Sequence, residues 1–202
     1  MFISFEGIDG CGKTTQIDLL NNYLIKLGYS VVAVREPGGT QVSEKIRKIL
    51  LDNKNSICKI TELFLFEAAR AELMHSIISP ALINGNFVLS DRFIDSTIAY
   101  QGYGRELDIS YINTLNTIAT ENRIPDITFY LKITFSNIKQ RYKINDFDRM
   151  EQSGDVFLQK IIDGFDFIAS NNTERIVIID ASQTIDNVFK DIVNELKNRK
   201  II

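Results

Sequence analysis

Phe2-Ile3-Ser4-Phe5-Glu6-Gly7-Ile8-Asp9-Gly10-Cys11-Gly12-Lys13-Thr14-Thr15 decides the fold, because it moves from an apolar run to a glycine-rich loop to a helix start within fourteen residues. Phe2 to Phe5 reads as a buried parallel strand. Gly7, Gly12, Lys13 and Thr14 then satisfy the spacing GxxxxGK(S/T). Glycines let the backbone take positive φ and approach an anion. Successive N–H groups at the positive end of a helix form a nest for phosphate oxygens. In this arrangement Lys13 is expected to reach the β- and γ-phosphates and Thr14 to ligate Mg²⁺ through its hydroxyl. An accidental glycine-rich turn would need no strand before it and no helix after it.

The rest of the chain repeats the strand-helix alternation. Ile17, Leu20, Leu24 and Leu27 mark a buried helix face ending at Gly28, and Ser30 to Val34 reads as the second strand. Arg35-Glu36-Pro37-Gly38-Gly39-Thr40 is a turn at that strand's carboxyl end, where open α/β sheets bind ligands. Val42, Ile46, Ile49 and Leu50 point a following helix inward, with Arg47 off that stripe. Leu63, Phe66, Ala69, Leu73 and Ile77 define a longer helix that Pro80 kinks or restarts near Ser79. Phe66 and Arg70, four apart, lie side by side, which suits stacking on a base and hydrogen bonding to it; in isolation such an arginine more often faces solvent. Phe87 to Asp91 is a third buried strand, and its terminal carboxylate can hold a Mg²⁺ shell opposite Thr14.

Arg92 through Gly102 is dense in hydrogen-bonding side chains. A helix around Tyr111 to Glu121, a strand from Ile127 to Leu131 and a helix carrying Ile138, Lys139, Arg141 and Lys143 follow. The polar stretch around 140–155 reads as a mobile lid. Phe157, Ile161, Phe165 and Ile168 mark another helix, Ile176 to Ile179 the fifth strand, and Val188, Ile192 and Leu196 the closing helix. The expectation is one α/β domain over 1–202, a five-stranded parallel sheet flanked by helices on both faces.

Composition narrows the chemistry. The 202 residues are 45% hydrophobic and 24% charged, with a formal net charge of −3, so a basic face for duplex nucleic acid is not expected. No apolar run reaches the length of a membrane span, and the first residues lack a charged leader, so the expected place is the cytosol. Two cysteines, Cys11 and Cys58, lack metal-ligand spacing. A helix N-terminus could lower the Cys11 thiol pKa, although a small residue at a variable loop position is the simpler reading. His75 is the only histidine, read as structural, so histidine metal clusters and Ser-His-Asp triads are excluded. Phosphoryl transfer needs no imidazole, since it runs mainly on positioning and positive charge.

Taken in order, Phe5-Glu6-Gly7-Ile8-Asp9-Gly10, Arg35 to Thr40, Phe66 to Arg70 before Pro80-Ala81-Leu82, and Asp91-Arg92-Phe93 through Ala99-Tyr100-Gln101-Gly102 resemble the thymidylate kinase family, from Phe2 to Leu196. The resemblance implies a P-loop kinase that converts ATP and dTMP to ADP and dTDP with Mg²⁺, as a homodimer. It implies an ATP site in Gly7, Ile8, Asp9, Gly10, Cys11, Gly12, Lys13, Thr14 and Thr15, with Thr14 and Asp91 on the metal. On the dTMP side it implies Phe66 stacked on thymine, Arg70 bonded to the base, and Ser96, Thr97 and Gln101 lining the pocket. Tyr100 would lie under the sugar, leaving no room for a 2′-hydroxyl. Asp9 would face the 3′-hydroxyl, and Arg35, Arg47 and Arg92 the phosphate.

Lys13, Asp9, Arg92, Arg141 and Arg149 are the implied catalytic set. Where eukaryotic-type members carry an arginine in the loop, this chain has Gly10, as in the bacterial type, whose lid supplies the charge. Ile144 stands where one lid arginine would align, leaving Arg141, Lys143 and Arg149, with adenine stacking an alternative for Arg141 and lid anchoring for Arg149. Rival readings are a kinase of another small nucleotide or deoxynucleoside, or a silent nucleotide-binding module.

Overall fold

The computed structural model describes residues 1–141 and 154–202, the side chains of 139–141 excepted. Among the described residues five strands form one parallel sheet in the order β2-β3-β1-β4-β5: β1 (Phe2–Glu6), β2 (Val31–Arg35), β3 (Phe87–Asp91), β4 (Ile127–Lys132) and β5 (Ile176–Asp180). The first strand sits in the middle because it is buried along its whole length. Its neighbours pair in a register that sets Phe5 beside both Asp91 and Phe129, while Arg35 pairs with Asp91 on the far side of β3. The carboxyl ends of β1, β2 and β3 therefore open onto one crevice, at the point where the chain reverses its direction of winding across the sheet.

Helices α1 (Lys13–Lys26), α8 (Asp155–Asn171) and α9 (Ile185–Asn198) carry apolar side chains into the larger core, around Phe5, Leu20, Phe129, Ile161, Phe165 and Ile192. A smaller cluster on the other side gathers Phe2, Leu73, Met74, Ile78, Val88 and Phe93. Helices α2 (Gln41–Leu51), α3 (Lys59–Leu73) and α6 (Ile109–Ala119) lie outside it; α5 (Ile94–Thr97) follows β3, and α7 (Phe135–Arg141) follows β4.

Four sequence expectations change in detail. Leu27, grouped with the buried face of α1, is exposed, because it is the residue at which the helix stops before Gly28 turns at φ +91°. Val42 and Ile49, read as inward, are also exposed, while Leu50 is fully buried: among the described residues α2 packs chiefly on α3, and only part of its apolar stripe is covered. The long helix does not simply break at Pro80. It widens into a π-helical turn at Met74–Ile78 and continues directly as α4 (Ser79–Ile83), with Pro80, which has no N–H to donate, in that segment's first turn. β2 begins at Val31, one residue later than read, and as an edge strand stays half-exposed.

Of the expected lid, 142–153 lie outside the described residues, and with them Lys143, Ile144 and Arg149. Arg141 ends α7, and its side chain is likewise outside the described set.

Candidate active site

The loop after β1 closes tightly against the sheet. Gly7 has φ +136°, and a Cβ there would sit 2.8 Å from the Leu131 carbonyl oxygen and 2.9 Å from Cys11 Sγ, so no side chain fits. Gly12 caps α1 in the left-handed region, leaving the loop N–H groups at the helix's positive end. Lys13 is buried, with Nζ donating to the carbonyls of Gly7 and Ile8 at 3.1 Å each and lying 3.4 Å from Asp9 Oδ1. Cys11 is buried beneath it, and that burial pushes its thiol pKa up, opposite to the helix-terminus effect considered from sequence.

Thr14 Oγ1 donates to Asp91 Oδ2 at 2.8 Å, so the two residues expected at the metal meet across the crevice. One hydroxyl and one carboxylate suit Mg²⁺, which keeps waters and takes phosphate oxygens rather than a cage of protein ligands. Among the described residues no cluster of three or more His, Cys, Asp or Glu side chains is placed to hold a metal.

Beside the loop, a cavity is lined by Asp9, Thr14, Arg35, Arg47, Phe66, Arg70, Asp91, Arg92, Ser96, Thr97, Tyr100 and Gln101, together with Glu36, Pro37 and Leu51. Every residue expected on the dTMP side is thus brought to one wall or another. Arg92 adopts φ +72°, a left-handed conformation costly for a side chain this large, and it turns the guanidinium back over the loop. Its Nη1 donates to the Gly7 carbonyl and to Ser96 Oγ, and its Nη2 to Asp9 Oδ1 at 2.6 Å and to the Tyr100 hydroxyl at 3.1 Å. Burial works against the charged form of Asp9, but Arg92 and Lys13 outweigh it and hold the carboxyl well below the usual carboxylate range. Tyr100 lies with its ring 5.0 Å from the Arg92 guanidinium carbon and is backed by Phe157 and Phe165.

Arg70 is 2% exposed, against the expectation for an isolated helix arginine. Its five N–H groups go to Glu36 twice, to Glu67, to Asn116 and to the Phe93 carbonyl. Burial opposes its charge, yet Glu36 and Glu67 raise its pKa further above the ordinary arginine value. The same burial pushes the carboxyls of Glu36 and Glu67 up, in spite of Arg70. Any further acceptor would therefore have to share an N–H that Arg70 already uses, as a three-centre bond. Arg35 and Arg47 differ: Arg35 forks onto Glu44 at the cavity rim, and Arg47 donates to the Pro37 carbonyl at 2.9 Å.

Sequence reading missed the acidic layer behind these arginines. Glu6 accepts from Phe93 N at 2.7 Å and from Ser96 Oγ at 2.5 Å, and burial together with the charge of Asp95 pushes its carboxyl up to about 8. Glu6, Glu36 and Glu67 lie inside quoted motifs, so their positions were a usable signal; Asn116 carried none beyond sitting on a helix.

A phosphate loop with its hydroxyl–carboxylate pair, opening directly onto a second pocket of arginines, an aromatic ring and amide and hydroxyl groups, defines a P-loop kinase of the nucleoside monophosphate class. The family model described as thymidylate kinase matches residues 5–192. A thymidylate kinase of Thermosipho africanus is 48% identical over 192 residues, 95% of each chain, and one of Thermoanaerobacter sp. (strain X514) is 45% identical over 196 residues, 97% of each. The crystal structure of thymidylate kinase from Ehrlichia chaffeensis superposes with a TM-score of 0.82 at 38% identity, covering 97% of this chain and 98% of that one. This chain belongs to the thymidylate kinase family.

Proposed function

We propose that the protein transfers the γ-phosphoryl group of ATP to dTMP, giving ADP and dTDP for dTTP synthesis. The observation that carries this reading is the continuity of the cavity, in which Thr14, Asp91 and Asp9 at the phosphate loop adjoin Phe66, Arg70, Arg92 and Tyr100. ATP lies with its phosphates in the loop Gly7 to Thr15. Lys13 exchanges the loop carbonyls it now bonds for the β- and γ-phosphate oxygens. Thr14 and Asp91 hold Mg²⁺, which when bound neutralises phosphate charge and orients the transferring group.

In the acceptor pocket Phe66 stacks on thymine, Arg70, Ser96, Thr97 and Gln101 surround the base edge, and Tyr100 closes the space beside the sugar. Arg35, Arg47 and Arg92 offset the charge of the dTMP phosphate, and Asp9 takes the 3′-hydroxyl while steadying Arg92. The acceptor phosphate is already a nucleophile near neutral pH, so no general base is required; the work lies in bringing two anions together among fixed positive charges. Arg141 and Arg149 supply further charge from the lid.

A coupled ADP-release assay across dTMP, dUMP, dCMP, dGMP, AMP and thymidine tests the reading: dTMP is expected to give the highest kcat/KM, and a higher value for another acceptor would replace it. We further propose a homodimer. Ile60 with Phe64 on α3, and Tyr111 with Ile118 on α6, are exposed at spacings that put each pair on one helix face. Light scattering at micromolar concentration should return twice the chain mass. Among the described residues no helix is long and apolar enough to cross a membrane, and both cysteines are free.

A further inference from the structure

Behind the acceptor pocket lies a charge cluster that the reaction does not use. Gln101 is 1% exposed and lines the pocket, and its Nε2 donates to Glu62 Oε1 at 3.0 Å. Glu62, equally buried on α3, also accepts from Arg105 Nε at 3.1 Å and Nη2 at 3.3 Å, and the Arg105 guanidinium lies 4.4 Å from the Phe157 ring centre. A carboxylate held by a guanidinium only accepts hydrogen bonds. The amide of Gln101 can therefore satisfy Glu62 with its nitrogen end alone, which leaves its carbonyl oxygen as the group available to a ligand.

We propose that Glu62 is a specificity-determining positioning residue: by fixing the Gln101 amide, it makes the pocket present a hydrogen-bond acceptor and so select pyrimidines that carry N3–H. Thymine and uracil donate from N3, whereas cytosine presents a bare acceptor there and would face Gln101 lone pair to lone pair. Glu62 itself never touches the nucleotide. The inference rests on the reading of this pocket as the dTMP site, and it adds what sets the polarity of one of its walls.

The test compares Glu62→Gln with the wild-type protein, measuring Kd for dTMP, dUMP and dCMP by calorimetry without ATP, and kcat for dTMP. A glutamine at 62 can donate or accept, so Gln101 is free to turn its nitrogen into the pocket. The dTMP-over-dCMP preference should fall about tenfold or more, while the dTMP-over-dUMP preference and kcat at saturating dTMP stay unchanged. Arg70 is untouched by the substitution, so whatever discrimination it contributes cancels from the comparison. Glu62→Asp, still an acceptor only, should keep the wild-type preference. Equal weakening of all three nucleotides in Glu62→Gln, or an unchanged dTMP-over-dCMP ratio, means that Glu62 is merely structural and overturns the proposal. If Glu62→Gln does not fold, wild-type protein that binds dCMP as tightly as dUMP overturns it without a variant. Wild-type protein that binds none of the three removes the dTMP reading itself, and the proposal with it.

Discussion

Arg92 Nη2 lies 2.6 Å from Asp9 Oδ1, so the arginine that follows β3 is tied to the loop that follows β1, and the acceptor pocket is tied to the phosphate loop. Removing the charge from this pair should loosen both. Asp9→Asn is expected to lower kcat/KM for dTMP about ten- to a hundredfold, the range for a charge-assisted hydrogen bond. Because Arg92 and Lys13 hold the Asp9 carboxyl below the ordinary range, protonation of Asp9 should not produce the acid limb of the wild-type pH profile. Steady-state kinetics from pH 5 to 9 on both proteins checks this.

Lys13 is turned onto its own loop carbonyls, and its proposed role requires it to give these up for phosphate oxygens. Lys13→Ala should cut kcat by at least about a hundredfold, with a much smaller change in KM for dTMP. Near-normal turnover in that variant would sink the phosphoryl-transfer scheme.

The Thr14–Asp91 pair predicts metal dependence. Chelation by EDTA should abolish ADP formation and added Mg²⁺ should restore it. Asp91→Asn should raise the Mg²⁺ concentration needed for half-maximal rate, by about tenfold or more, since a hard cation held there would lose a charged protein oxygen. A titration of rate against free Mg²⁺ at fixed ATP reads the shift.

Tyr100 is held from behind by Phe157 and Phe165, so its ring cannot retreat from a larger sugar. Tyr100→Ala should therefore relax the preference for dUMP over UMP. Competition kinetics with the two nucleotides measures the ratio, and an unchanged ratio refutes the steric account.

Glu6 gives a stability prediction with a definite sign. Its folded pKa, about 8, lies above the ordinary carboxylate value because burial and Asp95 disfavour its charge. Between roughly pH 4.5 and 8 the folded protein binds the proton more tightly than the unfolded chain, so this group's stabilising contribution is complete at acid pH and is lost as pH rises through 8. Glu6→Gln mimics the protonated form: its oxygen can accept from Phe93 N and its nitrogen can donate to Ser96 Oγ. Denaturant melts across pH 5 to 9 should show a flatter pH dependence in the variant, with its advantage greatest at pH 8 to 9.

The five strands were readable because each is a short apolar run followed by a turn signal, and the residues expected in the pocket, Arg47 excepted, because they sit in four stretches whose order is itself informative. What failed was burial at the margins. Val42, Ile49 and Leu27 obey helical periodicity as well as Leu50 or Leu24 do, and periodicity names a face without saying whether another element covers it. The burial of Arg70 lay beyond local reading for the same reason, since it depends on Glu36 and Asn116, 34 and 46 residues away.

From Phe2 to Thr15 the sequence by itself determined a phosphate-binding loop, because every requirement there is local: an apolar run, glycines for positive φ, a lysine and a hydroxyl at fixed spacing. Only the tertiary structure decided how the pocket beside that loop is wired. Hydrogen bonds such as Arg92 to Asp9, Gln101 to Glu62 and Arg70 to Asn116 join residues 39 to 83 positions apart. Which donor meets which acceptor across such distances is set by the parallel sheet and by how the helices pack on it.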